Sequence, residues 1–320
     1  MPTLTDHPPQ TAIFLAYAAI VLGILIVAGI ALPVLTFVLH RPVRGVWAIY
    51  VSWLVLAPLA FGCIYLGRWP AILFFLLLAL LGFREFARAT GLSRDGPMTL
   101  AGYLLVLAAG GAALARNPVD ASPGWFGLYM ALPACAVGVF AIVPILRNGA
   151  QGQLQIIALA VLGFMCCGWM FLHVALLADM PGGMGYLLYL VLAVELNDVA
   201  AFTCGTLLGR PGKHLLRSRI SPGKTWEGAG GALAFTIILT WLLRFTFPRF
   251  GPMRLLVAAL VVSIGGQLGD LSMSVIKRDL GVKDMGRLIP GHGGVLDRID
   301  SLIFAGPLFV HLIRILDRHG

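Results

Sequence analysis

Residues 291–301, GHGGVLDRIDS, combine side chains that could bind phosphate or a cation with a backbone rich in glycine. The segment holds His292, Arg298 and the carboxylates of Asp297 and Asp300. The two carboxylates are three positions apart, so on a helix they share one face. Glycines such as those beside them let backbone N–H groups approach an anion closely. This combination predicts a site for a phosphate-rich ligand held partly through Mg²⁺, a hard cation that takes oxygen ligands.

Polar side chains also recur in the apolar stretch just before this segment. Asp270, Ser274 and Lys277 are spaced i, i+4 and i+7 and predict one helix face with a carboxylate, a hydroxyl and an ammonium. A charged residue in a membrane span costs about 2.5–3.5 kcal/mol, which favours a functional site over an ion pair that only joins helices. Three glycines predict close approach by a neighbouring helix: Gly265, Gly266 and Gly269.

Two basic loops surround these carboxylates. Loop 277–298 holds five cations, which are Lys277, Arg278, Lys283, Arg287 and Arg298. Loop 204–225 holds five more and ends in SPGKT, where Ser221, Lys224 and Thr225 precede a predicted helix whose free N–H groups favour phosphate. A patch that attracts anionic lipid headgroups would explain the cations but not the carboxylates at the membrane edge.

Several familiar motifs do not fit. GKT lacks the upstream glycine of a P-loop, since that position is Ser218, and no strand is predicted before it. GHGGVL lacks the third glycine of a dinucleotide fingerprint. Zinc needs several nitrogen or sulfur ligands, and only His292 is near. The five cysteines lie in or beside apolar stretches and are interpreted as small buried hydrophobic residues.

Composition indicates which elements position these residues. The chain is 59% hydrophobic and only 12% charged, with a mean hydropathy of +0.92. Apolar stretches of about 20 residues, enough to cross a bilayer, recur along it, so we predict an all-α polytopic membrane protein. Continuous apolar runs argue against an outer-membrane barrel. Ten spans are predicted, at 12–39, 46–67, 69–83, 98–115, 125–146, 154–178, 184–203, 226–243, 253–276 and 299–316.

Charge orients these spans in the cell (inner) membrane. Of the 23 Lys and Arg residues, 16 fall in inward loops if both termini lie outside, which places loops 204–225 and 277–298 in the cytoplasm. This topology explains the net charge of +9 without nucleic acid. The first apolar segment is too long for a cleaved signal peptide and is expected to remain as a span.

Acidic residues divide the chain by function. Eight of the 14 lie between positions 195 and 300, including Glu195 and Asp198 in the seventh span. We therefore predict an N-terminal transmembrane scaffold over 1–183 and a C-terminal catalytic region over 184–320, within one integrated membrane domain.

The segment from Ser274 to Asp300 resembles the pattern of the phosphatidate cytidylyltransferase (CDP-diacylglycerol synthase) family throughout. The matching residues read SxIKR, then KDxG, then IPxHGGVxDRID. Upstream, DVAAF and SPGKTWEG resemble a second conserved region of that family, and REF at 84–86 resembles a short feature of it. The resemblance is strong over about 195–305 and rests on hydropathy in most of the N-terminal half.

The resemblance implies transfer of CMP from CTP to phosphatidate, with release of pyrophosphate. It implies Mg²⁺, with K⁺ as a further candidate cation, and suggests a homodimer. Asp270 and Asp297 are the implied metal-site carboxylates, to which we add Asp300 as a candidate ligand. Lys277, Arg298 and Lys224 join them as candidate catalytic residues. The candidate substrate-binding residues are Asp198, Ser221, Thr225, Ser274, Arg278, Lys283, Arg287, His292, Gly293 and Gly294.

Two other functions remain open at this point. Another CTP-dependent lipid enzyme, such as a polyprenol kinase, would release CDP instead of pyrophosphate. A secondary transporter would also carry charged residues within its spans, but it would tend to show two related halves, whereas here the charge is concentrated in one.

Overall fold

The computed structural model describes residues 10–34, 36, 44–118, 124–209, 214–217, 219–289 and 293–318. These residues form a bundle of helices and one small antiparallel sheet of two strands. The helices are α1 Gln10–Pro33, α2 Arg44–Tyr65, α3 Arg68–Ala89, α4 Gly96–Leu114, α5 Phe126–Leu146, α6 Gln153–Gly163, α7 Phe171–Leu176, α8 Gly183–Leu208, α9 Trp226–Leu242, α10 Pro252–Asp279 and α11 Leu296–Arg318. The strands are β1 Leu215–Arg217 and β2 Ser221–Thr225.

Each of the ten predicted spans overlaps a helical stretch, so the polytopic helical fold is confirmed. Helices α6 and α7 belong to one stretch, Gln153–Asp179, because a π-helical segment joins them. Among the described residues, nine stretches are long and apolar enough to cross a membrane. The predicted eighth span is α9, whose 17 residues extend about 26 Å, against about 30 Å for the hydrocarbon core.

Helix α3 is longer than the predicted third span, which ended at position 83. The apolar run stops there, but the following residues, REFARA, contain no helix breaker. The helix ends at Ala89, just before Gly91, whose φ of +79° is a left-handed conformation that favours glycine. Hydropathy indicated where the apolar side chains end, not where the helix ends. As a result Glu85, expected in a loop, lies on a helix.

The prediction that no strand precedes GKT is wrong. Strand β1 pairs antiparallel with β2, and β2 itself contains the SPGKT sequence. Lys224 therefore lies in a strand, whereas a P-loop lysine lies in the phosphate-binding loop. Thr225 ends the strand and caps α9, since its hydroxyl oxygen accepts a hydrogen bond from the Gly228 N–H at 3.1 Å.

Two of the three predicted glycines of α10 allow close helix packing, whereas a Cβ added to Gly266 would meet nothing closer than 3.7 Å. A Cβ added to Gly265 would lie 2.9 Å from the Cα of Ala305, and one added to Gly269 would collide with the carbonyl oxygen of Asp300. Helix α11 therefore lies directly against this side of α10. Close packing brings the polar end of α10 next to the first turn of α11.

Helix α3, from the predicted scaffold, also packs on the start of α11. A Cβ on Gly82 would lie 3.3 Å from a methyl carbon of Ile299 and 3.6 Å from one of Leu296. A residue of the first 183 positions is thus in contact with the predicted catalytic region. Scaffold and catalytic region are not separate layers at this end of the bundle.

Candidate active site

Lys277 lies between two carboxylates of the neighbouring helix. Its Nζ, near the end of α10, is 3.1 Å from Oδ1 of Asp297 and 3.4 Å from Oδ2 of Asp300. Both carboxylates are in the first turns of α11, so their predicted common face is confirmed. All three side chains are at most 11% exposed. Their charges compensate one another where water screens them little.

A second ion pair lies beside the first and is more open. Nζ of Lys224, on β2, is 2.5 Å from Oδ2 of Asp270, and the two side chains are 26% and 28% exposed. The Ser274 hydroxyl donates to Oδ1 of Asp270 at 3.3 Å. The predicted column on α10 therefore exists for Asp270 and Ser274. Lys277, in contrast, pairs with α11.

The loop before α11 fixes the orientation of Asp297. Its Oδ2 accepts hydrogen bonds from the backbone N–H groups of Met285 and Gly294, both at 2.9 Å. Gly293 has a φ of +82°, and a Cβ there would lie 3.0 Å from the same oxygen. Glycine thus satisfies both the backbone conformation and the space, and one carboxylate organises the loop.

Helix α8 adds a fourth carboxylate, that of Asp198. The Ser301 hydroxyl donates to Oδ2 of Asp198 at 2.9 Å, and the Ser301 N–H donates to Oδ1 of Asp300 at 2.8 Å. Asp198, Asp270 and Asp300 are close enough to repel one another electrostatically. Glu195, one turn earlier on α8, faces the charges of Asp198 and Arg298. Negative charge from three helices converges beside the two lysines.

Arg278 connects the two basic loops. Its Nε donates to the carbonyl oxygen of Ile220 at 3.2 Å, and its guanidinium also donates to the carbonyl oxygen of Val282 at 3.4 Å. The hairpin formed by β1 and β2 therefore lies at the same end of the bundle as the end of α10.

The other predicted residues have varied environments. Lys283, Arg287 and Arg298 are exposed at the same end of the bundle and could reach a ligand. Ser221 begins β2 and is half-buried. His292 lies outside the described residues.

Glu85 and Ser301 were missed as site residues. Oε2 of Glu85 accepts a hydrogen bond from the Leu296 N–H at 2.8 Å, although the residues are 211 positions apart. The available indication was a carboxylate directly after the third apolar run, within the REF feature at 84–86. Ser301 directly follows Asp300, but nothing in the sequence pointed to Asp198 as its partner.

The carboxylates at this site are of the chemical type that binds a hard divalent cation, because carboxylate oxygens are the ligands that Mg²⁺ prefers. In this arrangement Lys224 and Lys277 hold those oxygens, and among the described residues no three Asp, Glu, His or Cys side chains are grouped tightly enough to bind an ion. A cation would therefore replace ammonium groups at these carboxylates.

Fold and site together define a class of protein: a multi-pass helical membrane protein whose helix ends converge on lysines paired with carboxylates. Residues 47–316 match the sequence pattern of the cytidylyltransferase family. The chain belongs to that family.

Similar proteins come from several bacteria. The chain is 32% identical over 258 residues to "Uncharacterized protein YnbB" of Escherichia coli (strain K12), covering 77% of this chain and 80% of that one. It is 44% identical over 142 residues to a phosphatidate cytidylyltransferase of Staphylococcus haemolyticus, and 46% identical over 127 residues to one of Staphylococcus aureus (strain COL). These two matches cover 44% and 39% of this chain, and 52% and 48% of the relatives, so the chain spans about half of each named enzyme.

Proposed function

We propose that this protein transfers the CMP moiety of CTP to phosphatidate and yields CDP-diacylglycerol and pyrophosphate. The observation that carries the proposal is the meeting of two lysine–carboxylate pairs, Lys224 with Asp270 and Lys277 with Asp297, at one end of a membrane bundle. Family membership and the named relatives support the same reaction. A nucleotide arrives from water and a lipid from the bilayer, so a site at the helix ends suits both.

The bond changes are simple. An oxygen of the phosphatidate phosphate bonds to the α-phosphorus of CTP, and the bond from that phosphorus to the β-phosphate oxygen breaks. A phosphate monoester, with a second pKa of about 6, is largely a dianion at neutral pH. No general base is then needed. The work of the protein is to bring two polyanions together and to stabilise the charge of the leaving pyrophosphate.

Cationic side chains supply most of that stabilisation. When substrates bind, Lys224 and Lys277 exchange carboxylate partners for phosphate oxygens, and Arg298 approaches from the exposed side. Arg278, Lys283 and Arg287 bind the outer phosphates, while Ser221, Thr225 and Ser274 contribute hydroxyl groups. Gly293, Gly294 and His292 are kept as candidate contacts for the anion. The Gly294 N–H donates to Asp297, so that bond would have to open before it could bind phosphate. Asp198, which accepts a hydrogen bond from the Ser301 hydroxyl, provides a polar group where α8 borders the site.

Asp270, Asp297 and Asp300 would hold Mg²⁺, and K⁺ is a second candidate cation. The bound cation would neutralise charge on the nucleotide phosphates. The negative charge of the three carboxylates needs a cation to balance it once Lys224 and Lys277 bind phosphate oxygens instead. The cation requirement is therefore part of the proposal.

The location of the enzyme follows from its substrates. CTP is a cytosolic polyanion that does not cross lipid, so the two basic loops face the cytoplasm and the protein resides in the cell (inner) membrane. A homodimer is expected from the family resemblance.

One assay tests the proposal. Purified protein in mixed micelles receives CTP labelled at the α-phosphate with phosphatidate, in Mg²⁺ or in excess EDTA. We expect labelled lipid and unlabelled pyrophosphate in equal amounts when Mg²⁺ is present. In excess EDTA we expect neither product. Polyprenol in place of phosphatidate, with CTP labelled at the γ-phosphate, tests the kinase alternative. Labelled polyprenyl phosphate with release of CDP, and no product from phosphatidate, would contradict the proposal.

A further inference from the structure

We propose that Glu85 is a positioning residue: from α3 it holds the start of α11 and so sets the position of Asp297 relative to Lys277. The inference rests on the proposed function for its kinetic consequence, but its structural part stands apart from that function. Glu85 touches neither lysine of the site. It acts by fixing the backbone of the residues next to Asp297.

The first contact is a helix cap supplied by another helix. Leu296 is the first residue of α11, and the N–H groups of a first turn have no partner within their own helix. Glu85 accepts one of them at 2.8 Å. A carboxylate is favoured there because the start of a helix carries partial positive charge. Asp297 is the next residue, so the capped backbone is the backbone that orients it.

The second contact is with the loop that precedes α11. A Cβ added to Gly286 or to Gly294 would collide with the carboxylate oxygens of Glu85. The loop backbone therefore lies directly on that carboxylate from two sides. Gly294 also donates its N–H to Oδ2 of Asp297. Glu85 and Asp297 thus hold the same short stretch of loop between them.

The third observation is burial. Glu85 is only 8% exposed, although it follows the apolar run of α3 and lies between Arg84 and Arg88 in the sequence. A carboxylate is costly to bury unless it is hydrogen-bonded, and the Leu296 N–H supplies such a partner here. Satisfying backbone N–H groups at the start of α11 is the function that requires an acceptor at this position.

The test compares Glu85→Ala and Glu85→Gln with Asp95→Ala. Asp95 is a matched control, since its carboxylate caps α4 through the Met98 N–H at 3.1 Å and pairs with Arg147 at 2.7 Å. Gln keeps an acceptor oxygen for Leu296, whereas Ala removes it. Amide hydrogen exchange is measured by mass spectrometry on peptides covering 283–289 and 293–300. Turnover and the Mg²⁺ dependence are measured on the same preparations.

We expect Glu85→Ala to speed exchange in both peptides at least ten-fold and to lower kcat at least ten-fold, with the KM for CTP changed less than three-fold. Glu85→Gln should retain most of both properties. Asp95→Ala should leave the exchange of these peptides and kcat unchanged. If Glu85→Ala does not accumulate, Glu85→Asp replaces it, because the shorter side chain cannot reach Leu296 at the same distance.

Wild-type exchange in Glu85→Ala would overturn the proposal, whatever happens to turnover. Equal loss of kcat in Asp95→Ala would do the same, because it would indicate general destabilisation. A Glu85→Gln variant as impaired as Glu85→Ala would exclude the hydrogen bond as the cause. If the wild-type protein forms no CDP-diacylglycerol, the proposed function fails, while the exchange measurements still decide whether Glu85 holds the loop.

Discussion

The Nζ atom of Lys277 and the Oδ1 atom of Asp297 are 3.1 Å apart, on two helices joined by a loop, and the residues are 20 positions apart. This ion pair joins the end of α10 to the start of α11, on either side of the loop that connects them. The pair of Lys224 and Asp270 is shorter but more than twice as exposed. The two pairs should therefore respond differently to substitution, although both contain one lysine and one aspartate.

Replacing Lys277 by Met should destabilise the protein strongly. It leaves Asp297 and Asp300 buried without their cation, a change that costs about 3–5 kcal/mol for buried pairs. Thermal unfolding in detergent, followed by intrinsic fluorescence, measures the loss. Adding Asp300→Asn should recover part of it, since one uncompensated charge is removed. Equal melting temperatures for Lys277→Met and the wild type would contradict the buried pair.

Replacing Lys224 by Ala should affect activity more than stability. A partly exposed ion pair contributes about 0.2–1 kcal/mol, so the melting temperature should change little. The kcat/KM for CTP should fall on the order of 100-fold if the ammonium group stabilises phosphate charge in the transition state. Unchanged kcat/KM would remove Lys224 from the proposed site.

Asp297→Asn should abolish detectable turnover, with a loss on the order of 100-fold or more. The asparagine can still accept from the Met285 and Gly294 N–H groups, so the loop should remain folded. Labelled-CTP turnover over a range of Mg²⁺ concentrations measures the effect, and circular dichroism checks the fold. Near-normal turnover at saturating Mg²⁺ would show that the carboxylate charge is dispensable.

Gly294→Ala should lower turnover because its methyl group would collide with the Glu85 carboxylate. Gly230→Ala is the matched control, since a Cβ on Gly230 of α9 meets nothing within 4 Å. A Gly294→Ala enzyme as active as Gly230→Ala would show that this space is not required.

Single cysteines at Arg217 and Asp279 should be labelled from the same side of the membrane by an impermeant thiol reagent. Both positions are exposed, and the Arg278 contact with Ile220 joins their loops. The five native cysteines are first changed to Ala. Arg249→Cys, in the exposed connection between α9 and α10, should react from the opposite side. Labelling of positions 217 and 279 from opposite sides would disprove a shared cytoplasmic face.

The sequence by itself determined what is local. Hydropathy located ten stretches that are helical in the structure, because lipid requires about 20 consecutive apolar residues whatever the partner helix is. Among the described residues, nine stretches are long and apolar enough to cross a membrane. Helix periodicity predicted that Asp297 and Asp300 share a face and that Ser274 lies next to Asp270. The glycines on α10 predicted a close neighbour. Each of these properties depends on one segment and on the geometry of one helix.

Only the tertiary structure decided which charged groups meet. Lys277 and Lys224 both follow from sequence as cations near carboxylates, but their partners depend on how α10, α11 and the β1–β2 hairpin pack. The role of Glu85 could not be predicted, because its hydrogen-bond partner is 211 positions away in the sequence. That partner is a backbone N–H, a group that the residue type at position 296 does not reveal. Side-chain pairing between elements is set by their relative positions, which the packing of the whole bundle determines and no single segment contains.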